Sequence, residues 1–369
     1  MRIERRHCTR HRIERTESLM ARKTREIAAV DLFCGVGGLT HGLERAGIDV
    51  RLGVDIDPEC RYAFEANNKA RFLERSVEAI EAHELERALK GAGIRLLAGC
   101  APCQPFSTYR QKTTKPKDDR WTLLRHFSRR IVEIEPELVT MENVPGLAKQ
   151  AVFREFVRVL DRAGYSVSTT LVDCAQYGVP QDRRRLVVLA SRLGAIEMLS
   201  PKTLRCRRRS VLQAIGSLPQ VRAGQTCKAD PLHCAAGLAS INRKRIAASS
   251  PGGTWRDWPA ELLARCHTKE TGERYQSVYG RMSWGGTAPT ITTQFYNYGS
   301  GRYGHPTQAR AVTLREGAIL QSFPRSYRFV APGVFPSFTL IGRLIGNAVP
   351  VRLGHAIGQS LLAHAQAHG

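Results

Sequence analysis

The chain has 369 residues, enough for one large domain and a smaller one. Its 56 Lys and Arg residues against 33 Asp and Glu give a net charge of +23 and an isoelectric point near 10.1, which favours a polyanionic partner such as nucleic acid. No run of ~18 apolar residues is present, so no membrane span is expected. Ten cysteines without the paired spacing of a disulfide framework indicate a reducing, cytoplasmic setting.

The first 25 residues form a basic segment. Nine Lys or Arg residues stand there against three Asp or Glu, and the segment has neither an apolar period nor a signal-peptide core. Such a composition buries too little apolar surface to fold, so we expect a disordered arm over residues 1–25.

A strand, a glycine turn and a helix follow this arm. Residues 27–33 form an apolar run typical of a buried strand, residues 34–38 read Cys-Gly-Val-Gly-Gly, and residues 39–46 have helical spacing. A second strand over 50–54 ends in Asp55, whose carboxylate can accept both hydroxyls of a ribose. A dehydrogenase has the same layout, but G-x-G-G in place of G-x-G-x-x-G favours a cofactor without a pyrophosphate.

A thiol and a carboxylate are predicted at the carboxyl ends of two neighbouring strands. Residues 99–107 read Gly-Cys-Ala-Pro-Cys-Gln-Pro-Phe-Ser after a buried apolar run, and residues 142–144 read Glu-Asn-Val after a second such run. Cys103 then suits a covalent nucleophile and Glu142 a proton donor. The alternative, a redox dithiol of Cys100 and Cys103, needs a helix directly after the second cysteine, and Gln-Pro-Phe-Ser is a poor helix start.

These motifs and several later ones resemble those of the bacterial DNA (cytosine-5)-methyltransferases, in the same order and over nearly the whole chain. Ser76 stands where the family commonly has an adenine-contacting Asp, Ile56 where an aromatic residue is common, and Leu344 where a Gln is common. The matching segments are residues 31–38, 55–57, 102–104, 118–123, 142–144, 181–185, 315–316, 321–324 and 346–350.

The resemblance implies an α/β fold with a doubly wound mixed sheet of the S-adenosylmethionine-dependent, Rossmann-like methyltransferase type. A smaller, irregular target-recognition domain accompanies it. The implied cofactor is S-adenosyl-L-methionine. The residues that the resemblance assigns to this cofactor are Asp31, Phe33, Gly35, Gly37, Gly38, Asp55, Ile56, Ser76, Val77, Leu123 and Asn347.

The resemblance also implies the reaction, which is methyl transfer to carbon 5 of a cytosine in double-stranded DNA. The Cys103 thiolate adds to carbon 6, so that carbon 5 can attack the methyl group, while Glu142 hydrogen-bonds ring N3. Arg185 holds the O2 edge of the base, and Arg183 supports the site as a fixed donor. The target atoms are hidden in a duplex, so the base is flipped out and the polar segment 107–119 closes over it.

Changes in composition divide the chain. Arginines cluster at 205–209, and glycine, tryptophan and tyrosine dominate residues 251–304, which is typical of a groove-reading module carried on loops. The aromatic residues fit the core of a small domain equally well. The expected division is a basic arm (1–25), a catalytic and cofactor-binding domain (26–195), a target-recognition domain (200–305), a hinge and late-motif segment (306–335), and a return to the catalytic domain (336–369).

Two other classes of function stay open at this stage. An RNA cytosine-5 methyltransferase acting on tRNA uses the same site, and the short recognition region is compatible with it. A catalytically silent DNA-binding regulator or a dinucleotide enzyme is the third class. The presence of Cys103, Glu142 and Arg185 argues against silence, and the sequence offers no hydride-transfer site.

Double-stranded DNA is the expected partner, with a cognate restriction endonuclease or repair nuclease as a candidate partner in the same system. We expect a monomer in the bacterial cytoplasm, associated with the nucleoid. No metal is expected, because the candidate ligands match the spacing of no zinc finger. Those candidates are Cys227, His233, Cys234, Cys266 and His267.

Overall fold

The computed structural model describes residues 26–102, 120–265, 267–269 and 277–368. The basic arm at 1–25, Cys103, the segment 107–119 and Cys266, all singled out by the sequence, lie outside these ranges. A seven-stranded sheet forms the centre of the fold. Its strands are β1 (Ile27–Leu32), β2 (Asp49–Asp55), β3 (Arg71–Glu74), β4 (Ile94–Gly99), β5 (Leu138–Asn143), β6 (Ser166–Asp173) and β7 (Arg184–Ser191).

The strands follow the order β3-β2-β1-β4-β5-β7-β6. Strands β1 to β5 pair in parallel, and β7 runs antiparallel to both β5 and β6. This is the predicted doubly wound mixed sheet of the Rossmann-like methyltransferase fold. In such a sheet a crevice opens outside the carboxyl ends of the strands, where the order reverses between β1 and β4.

Helices cover both faces of the sheet. In β1 all six residues are buried, with Ile27 and Ala29 in one core and Ala28, Val30 and Leu32 in the other. A parallel strand covered on both faces is apolar throughout, which explains the unbroken run in the sequence. The helices are α1 (Gly38–Ala46), α2 (Arg61–Glu65), α3 (Ala82–Leu89), α4 (Arg120–Ile134), α5 (Ala151–Arg162), α6 (Val211–Ile215), α7 (Ser240–Ala248), α8 (Leu314–Leu320), α9 (Phe338–Asn347) and α10 (Val351–His368).

Glycines bring the last helix against the first. A Cβ on Gly42 of α1 would lie 2.6 Å from the carbonyl oxygen of Val351 and 2.5 Å from the backbone nitrogen of His355. No real side chain tolerates such contacts with backbone, so Gly42 is what allows the close approach of α1 and α10. Both helices contribute to the same core, whereas α3, α4 and α5 contribute to the core on the other face of the sheet.

A smaller core lies between β7 and α8 in the chain. The short hairpin of β8 (Thr226–Cys227) and β9 (Asp230–Cys234) lies in the same part of the chain, but it contributes Leu232 and Cys234 to the large core that α1 and α10 share. The smaller core includes Trp255, Trp258 and Tyr298. The sequence did not decide whether these aromatic residues form the core of a small domain or read a DNA groove. The structure buries all three. Among the described residues, no helix combines the length and the apolar character needed to cross a bilayer.

Candidate active site

A tight turn joins β1 to α1 at the carboxyl edge of the sheet. Phe33, Gly35 and Gly37 have positive φ angles of 60°, 52° and 84°, and the Gly37 N–H donates to the Cys34 carbonyl at 2.9 Å. A Cβ on Gly35 would meet no atom within 4 Å, whereas one on Gly37 would lie 2.4 Å from Nδ2 of Asn68. Gly35 therefore faces open space where a ligand can approach the backbone, and Gly37 is needed for an internal contact.

Gly38 has a different role from Gly35. A Cβ at Gly38 would lie 2.2 Å from the carbonyl oxygen of Val349, so the glycine turn touches the late motif at 346–350 directly. Asn347, in that motif, is exposed at the end of α9. The structure thus brings together the first and last of the motifs that the sequence predicted to bind the cofactor.

Asp55 lies beside the glycine turn, at the end of β2. Its carboxylate accepts the N–H of Gly35 at 2.8 Å and the N–H of Asp57 at 3.0 Å. Burial raises the pKa of Asp55 above its usual range. The next residue, Ile56, is 69% exposed, an unusual state for a large apolar side chain. An acceptor and an apolar surface are therefore adjacent at the crevice.

Asp31 lies beneath this turn and is fully buried. Thr40 Oγ1 donates to its Oδ2 at 2.6 Å, while Oδ1 has no hydrogen-bond partner among the described residues. Burial, opposed by the Thr40 hydrogen bond and reinforced by the charge of Asp55, raises the pKa of Asp31 to about 7. Two carboxyl groups near one turn fit a ligand that carries positive charge, as S-adenosylmethionine does at its sulfonium and amino groups.

The other predicted cofactor residues lie at different depths. Ser76 is half-buried and its hydroxyl accepts the N–H of Glu78 at 3.2 Å, which fixes the turn after β3. Val77 is buried in the core, and Leu123 is half-buried near the start of α4. Val77 therefore supports the local backbone from the core side.

Glu142 is a buried carboxylate at the carboxyl end of β5. Its Oε2 accepts the thiol proton of Cys100 at 3.1 Å, and its Oε1 lies 2.8 Å from Nε of Arg185 in an ion pair. The N–H of Arg185 does not point at Oε1, so this contact is an ion pair and not a hydrogen bond. Among the described residues, Oε1 therefore accepts no hydrogen bond. The side chain of Glu142 is 3% exposed.

Asn143 fixes the chain that leads to the predicted nucleophile. Its Nδ2 donates to the carbonyl of Ala101 at 2.9 Å, and its Oδ1 accepts the N–H of Val144 at 2.9 Å. Ala101 follows β4 and comes two residues before Cys103, whose own position lies outside the described residues. In this pair, Glu142 contacts Cys100 and Arg185, while Asn143 fixes the backbone just after β4.

Arg183 is buried and makes its hydrogen bonds to backbone. Its guanidinium donates to the carbonyls of Ile291 at 3.0 Å and Gly346 at 3.4 Å, and burial lowers its pKa to about 9. Arg185, in contrast, is close to Glu142 and also donates to the carbonyl of Arg184 at 2.7 Å. Of the two predicted arginines, Arg185 contacts the candidate catalytic carboxylate. Arg183 instead connects its own segment to the segments that contain Ile291 and Gly346.

Two glutamines without a role predicted from the sequence form a buried junction. Gln181 donates to the carbonyl of Leu320 at 2.8 Å and to the side chain of Gln321, and it accepts the N–H of Ile291 at 3.0 Å. Gln321 in turn donates to the carbonyl of Ala348 at 2.9 Å. The only sequence signal for this junction was that both glutamines fall within family motifs.

The doubly wound mixed sheet is that of the S-adenosylmethionine-dependent methyltransferases. A family model described as C-5 cytosine-specific DNA methylase matches residues 27–363. The Type II methylase M.HgiDII of Herpetosiphon aurantiacus is 49% identical over 337 residues, covering 90% of this chain and 94% of the relative. The Type II methyltransferase M.XorII of Xanthomonas oryzae pv. oryzae is 31% identical over 365 residues, covering 90% and 84%.

A solved structure agrees with this result at the level of the fold. A prophage-encoded E. coli protein assigned as a DNA modification methyltransferase superposes with a TM-score of 0.70 at 23% identity, covering 91% of this chain and 98% of that chain. The chain belongs to the C-5 cytosine-specific DNA methylase family. It is a DNA (cytosine-5)-methyltransferase, as the motifs predicted.

Proposed function

We propose that the enzyme methylates carbon 5 of a cytosine flipped out of double-stranded DNA, through a covalent bond between the Cys103 sulfur and carbon 6. The placement of Glu142 carries this proposal. It is held by Arg185 at 2.8 Å and by Cys100 at 3.1 Å, beside the strand exit that leads to Cys103. A carboxylate fixed in this way suits a group that must meet a ring nitrogen in one orientation.

The role of each residue follows from the electronics of the ring. The Cys103 thiolate forms a bond to carbon 6 and displaces an electron pair towards N3 and carbon 5. Glu142 shares a proton with N3 and so stabilises the developing charge, and Arg185 donates to O2. S-adenosylmethionine supplies an electrophilic methyl group when bound. Once carbon 5 carries the methyl group, its proton passes to water, the C5–H electron pair restores the double bond between carbons 5 and 6, and the Cys103 thiolate leaves.

We assign the cofactor to the crevice at the carboxyl ends of β1, β2 and β3. Asp55 would accept the ribose hydroxyls, Ile56 would cover the adenine, and Gly35 would let the backbone approach the amino-acid part. Asp31 would support the glycine turn from beneath through its hydrogen bond with Thr40, because its side chain is fully buried. Phe33, Ser76, Leu123 and Asn347 would line the crevice, with Gly37, Gly38 and Val77 supporting it.

The arginine at 183 is assigned a supporting role. Its contacts to the carbonyls of Ile291 and Gly346 join β7 to two later segments, one of which contains the late cofactor motif. We expect these contacts to hold the target-recognition domain (200–305) against the catalytic parts (26–195 and 336–369), while the Gln181–Gln321 junction holds the segment 306–335 there. The separate aromatic core supports a recognition unit with its own packing.

We further propose a restriction-modification role, since the named relatives are Type II enzymes. In that setting a cognate endonuclease is the partner that reads the same DNA site, and the enzyme acts as a monomer on nucleoid DNA in the cytoplasm.

The substrate is tested by methyl transfer from tritiated S-adenosylmethionine to genomic duplex DNA and, in parallel, to total tRNA. We expect incorporation into DNA at carbon 5 of cytosine and none above background into tRNA. Incorporation into tRNA alone would replace the proposed substrate with RNA. A Glu142→Gln variant serves as the control, because it keeps the shape of the side chain and removes the carboxylate.

A further inference from the structure

A basic cavity lies at the C-terminal end of α1, the end away from the glycine turn. It has a volume of about 190 Å³ and is formed by the last turn of α1, the first turn of α10, and residues of the segments 209–214 and 319–325. Four of its lining residues are arginines, and no Asp or Glu of the described chain lines it. These are Arg45, Arg209, Arg325 and Arg352, here called the arginine cavity.

No carboxylate of the described residues neutralises the positive charges of the arginine cavity. Arg209 donates to the backbone carbonyl of Gln213 and Arg325 to the hydroxyl of Ser217, both neutral acceptors. Within the described ranges none of the four arginines forms an ion pair with a carboxylate. Partial burial and the neighbouring charges of Arg209 and Arg45 lower the pKa of Arg352, so its charged form is less stable there than in water.

Like charges held around one concave space repel each other, and an anion in that space removes the repulsion. Guanidinium groups bind phosphate oxygens through pairs of parallel N–H donors, which makes arginine the usual residue for phosphate recognition. The backbone N–H of Arg352 is already used, because it donates to Ser322 Oγ at 3.0 Å. Recognition in this cavity therefore depends on the arginine side chains.

The cavity is separate from the proposed active site. Arg45 is seven residues after Gly38 along α1, which places it about 10 Å from the glycine turn at 1.5 Å per residue. None of the residues that line the cavity is assigned to the cofactor or to cytosine.

We propose that the arginine cavity is a second anion site of this enzyme and binds a phosphate group. The group is either a free phosphate anion or a backbone phosphate of DNA lying outside the recognised site. This site does not depend on the proposed reaction, because it can be occupied whether or not Cys103 forms a covalent adduct.

The first test is thermal unfolding of the full chain in inorganic phosphate and in sodium chloride at equal ionic strength. We expect phosphate to raise Tm by about 2 °C or more over chloride, because a ligand that binds only the folded state stabilises it. Arg352→Gln and Arg45→Gln should each lose most of this gain. Arg158→Gln, which removes an exposed arginine from α5 on the other face of the sheet, should keep it.

The proposal is overturned if phosphate is no better than chloride for the unmodified enzyme, or if both cavity variants keep the full gain. Two cavity variants are used so that a folding defect in one leaves the other informative. Neither residue belongs to the proposed catalytic or cofactor machinery, so methyl transfer by folded variants at saturating DNA provides an independent check of fold.

Measuring DNA binding across a salt series distinguishes a free phosphate anion from a backbone phosphate of DNA. If DNA backbone occupies the cavity, Arg352→Gln lowers the slope of log affinity against log salt by about one unit relative to Arg158→Gln, and inorganic phosphate competes with DNA. If a free anion occupies it, phosphate still raises Tm, but slope and affinity for DNA stay equal in the two variants. Either result supports an anion site and identifies the phosphate that occupies it.

Discussion

Glu142 is oriented by two neighbours from different parts of the chain. Cys100 comes from the exit of β4 and Arg185 from β7, and they contact opposite oxygens of the carboxylate. The sequence predicted a role for Glu142 and Arg185 from their motifs, and it indicated Cys100 only as half of a dithiol. The hydrogen bond from Cys100 could not be predicted, because it depends on how two strands lie side by side whose residues are 42 positions apart in the chain.

Replacing Cys100 by Ala removes one of the two partners that position Glu142. A single hydrogen bond contributes about 0.5–1.5 kcal/mol, so we expect kcat to fall roughly 2- to 12-fold. The dissociation constant for S-adenosylmethionine should not change. Cys100→Ser, which keeps a donor, should recover most of the loss, and Cys227→Ala in the β8–β9 hairpin is the control. An unchanged kcat in Cys100→Ala would show that the thiol does not position Glu142.

Replacing Asp55 by Ala should weaken the cofactor. Hydrogen bonds to a charged acceptor contribute about 1.5–3 kcal/mol, so the dissociation constant of S-adenosylmethionine should rise about 10- to 150-fold. Calorimetric titration measures this directly. Asp49→Ala is a matched control, because Asp49 begins the same strand at the opposite edge of the sheet, in an ion pair with Arg51. Equal affinities of the Asp55 variant and the unmodified enzyme would place the ribose elsewhere.

At the scale of elements, local patterns in the sequence were sufficient to predict the first two strands and the helix between them. The first strand, expected over 27–33, spans Ile27–Leu32, the helix expected over 39–46 spans Gly38–Ala46, and the strand expected over 50–54 spans Asp49–Asp55. Each is encoded by an apolar period within a few residues. The junction of Gln181 with Gln321 was not predictable, because hydrogen bonds to groups about 140 residues away leave no periodic signal.

The contact between α1 and α10 gives a test at the same scale. Gly42→Ala would force a Cβ to within 2.6 Å of the backbone of α10, and overpacking of this kind costs about 1–3 kcal/mol, partly offset by the better helix propensity of Ala. We expect a lower free energy of unfolding in urea. Gly285→Ala is the control, since a Cβ there meets no atom within 4 Å. Equal stability of both variants would mean that the helices can separate without cost.

For the whole molecule, the net charge of +23 predicts electrostatic attraction to DNA. Arg205, Arg207 and Arg208 are exposed in the segment after β7, although Arg208 is also paired with Asp173 at 2.9 Å. We propose that this cluster contacts phosphates without reading sequence. The charge alone could not specify the face that meets DNA, because basic residues are spread over much of the chain.

Changing these three arginines to Gln should weaken binding to all duplexes. The slope of log affinity against log salt should fall by about one unit for each phosphate that the variant no longer binds, while the preference for the recognised site persists. The matched control changes Arg154, Arg158 and Arg162, three exposed arginines on α5, to Gln. Filter binding across a salt series provides both slopes. A cluster variant with the slope of the unmodified enzyme would mean that these arginines only face solvent.

The covalent intermediate is the central claim, and trapping it is the most direct test. A long duplex copied with 5-fluorocytosine in place of cytosine presents every possible site, and fluorine at carbon 5 prevents the proton loss that releases the enzyme. With S-adenosylmethionine present, we predict a protein–DNA complex that survives a denaturing gel. It should be absent for Cys103→Ser, whose hydroxyl is a far weaker nucleophile, although that variant should still bind DNA. A gel without the complex for the unmodified enzyme, or with it for Cys103→Ser, would contradict the account.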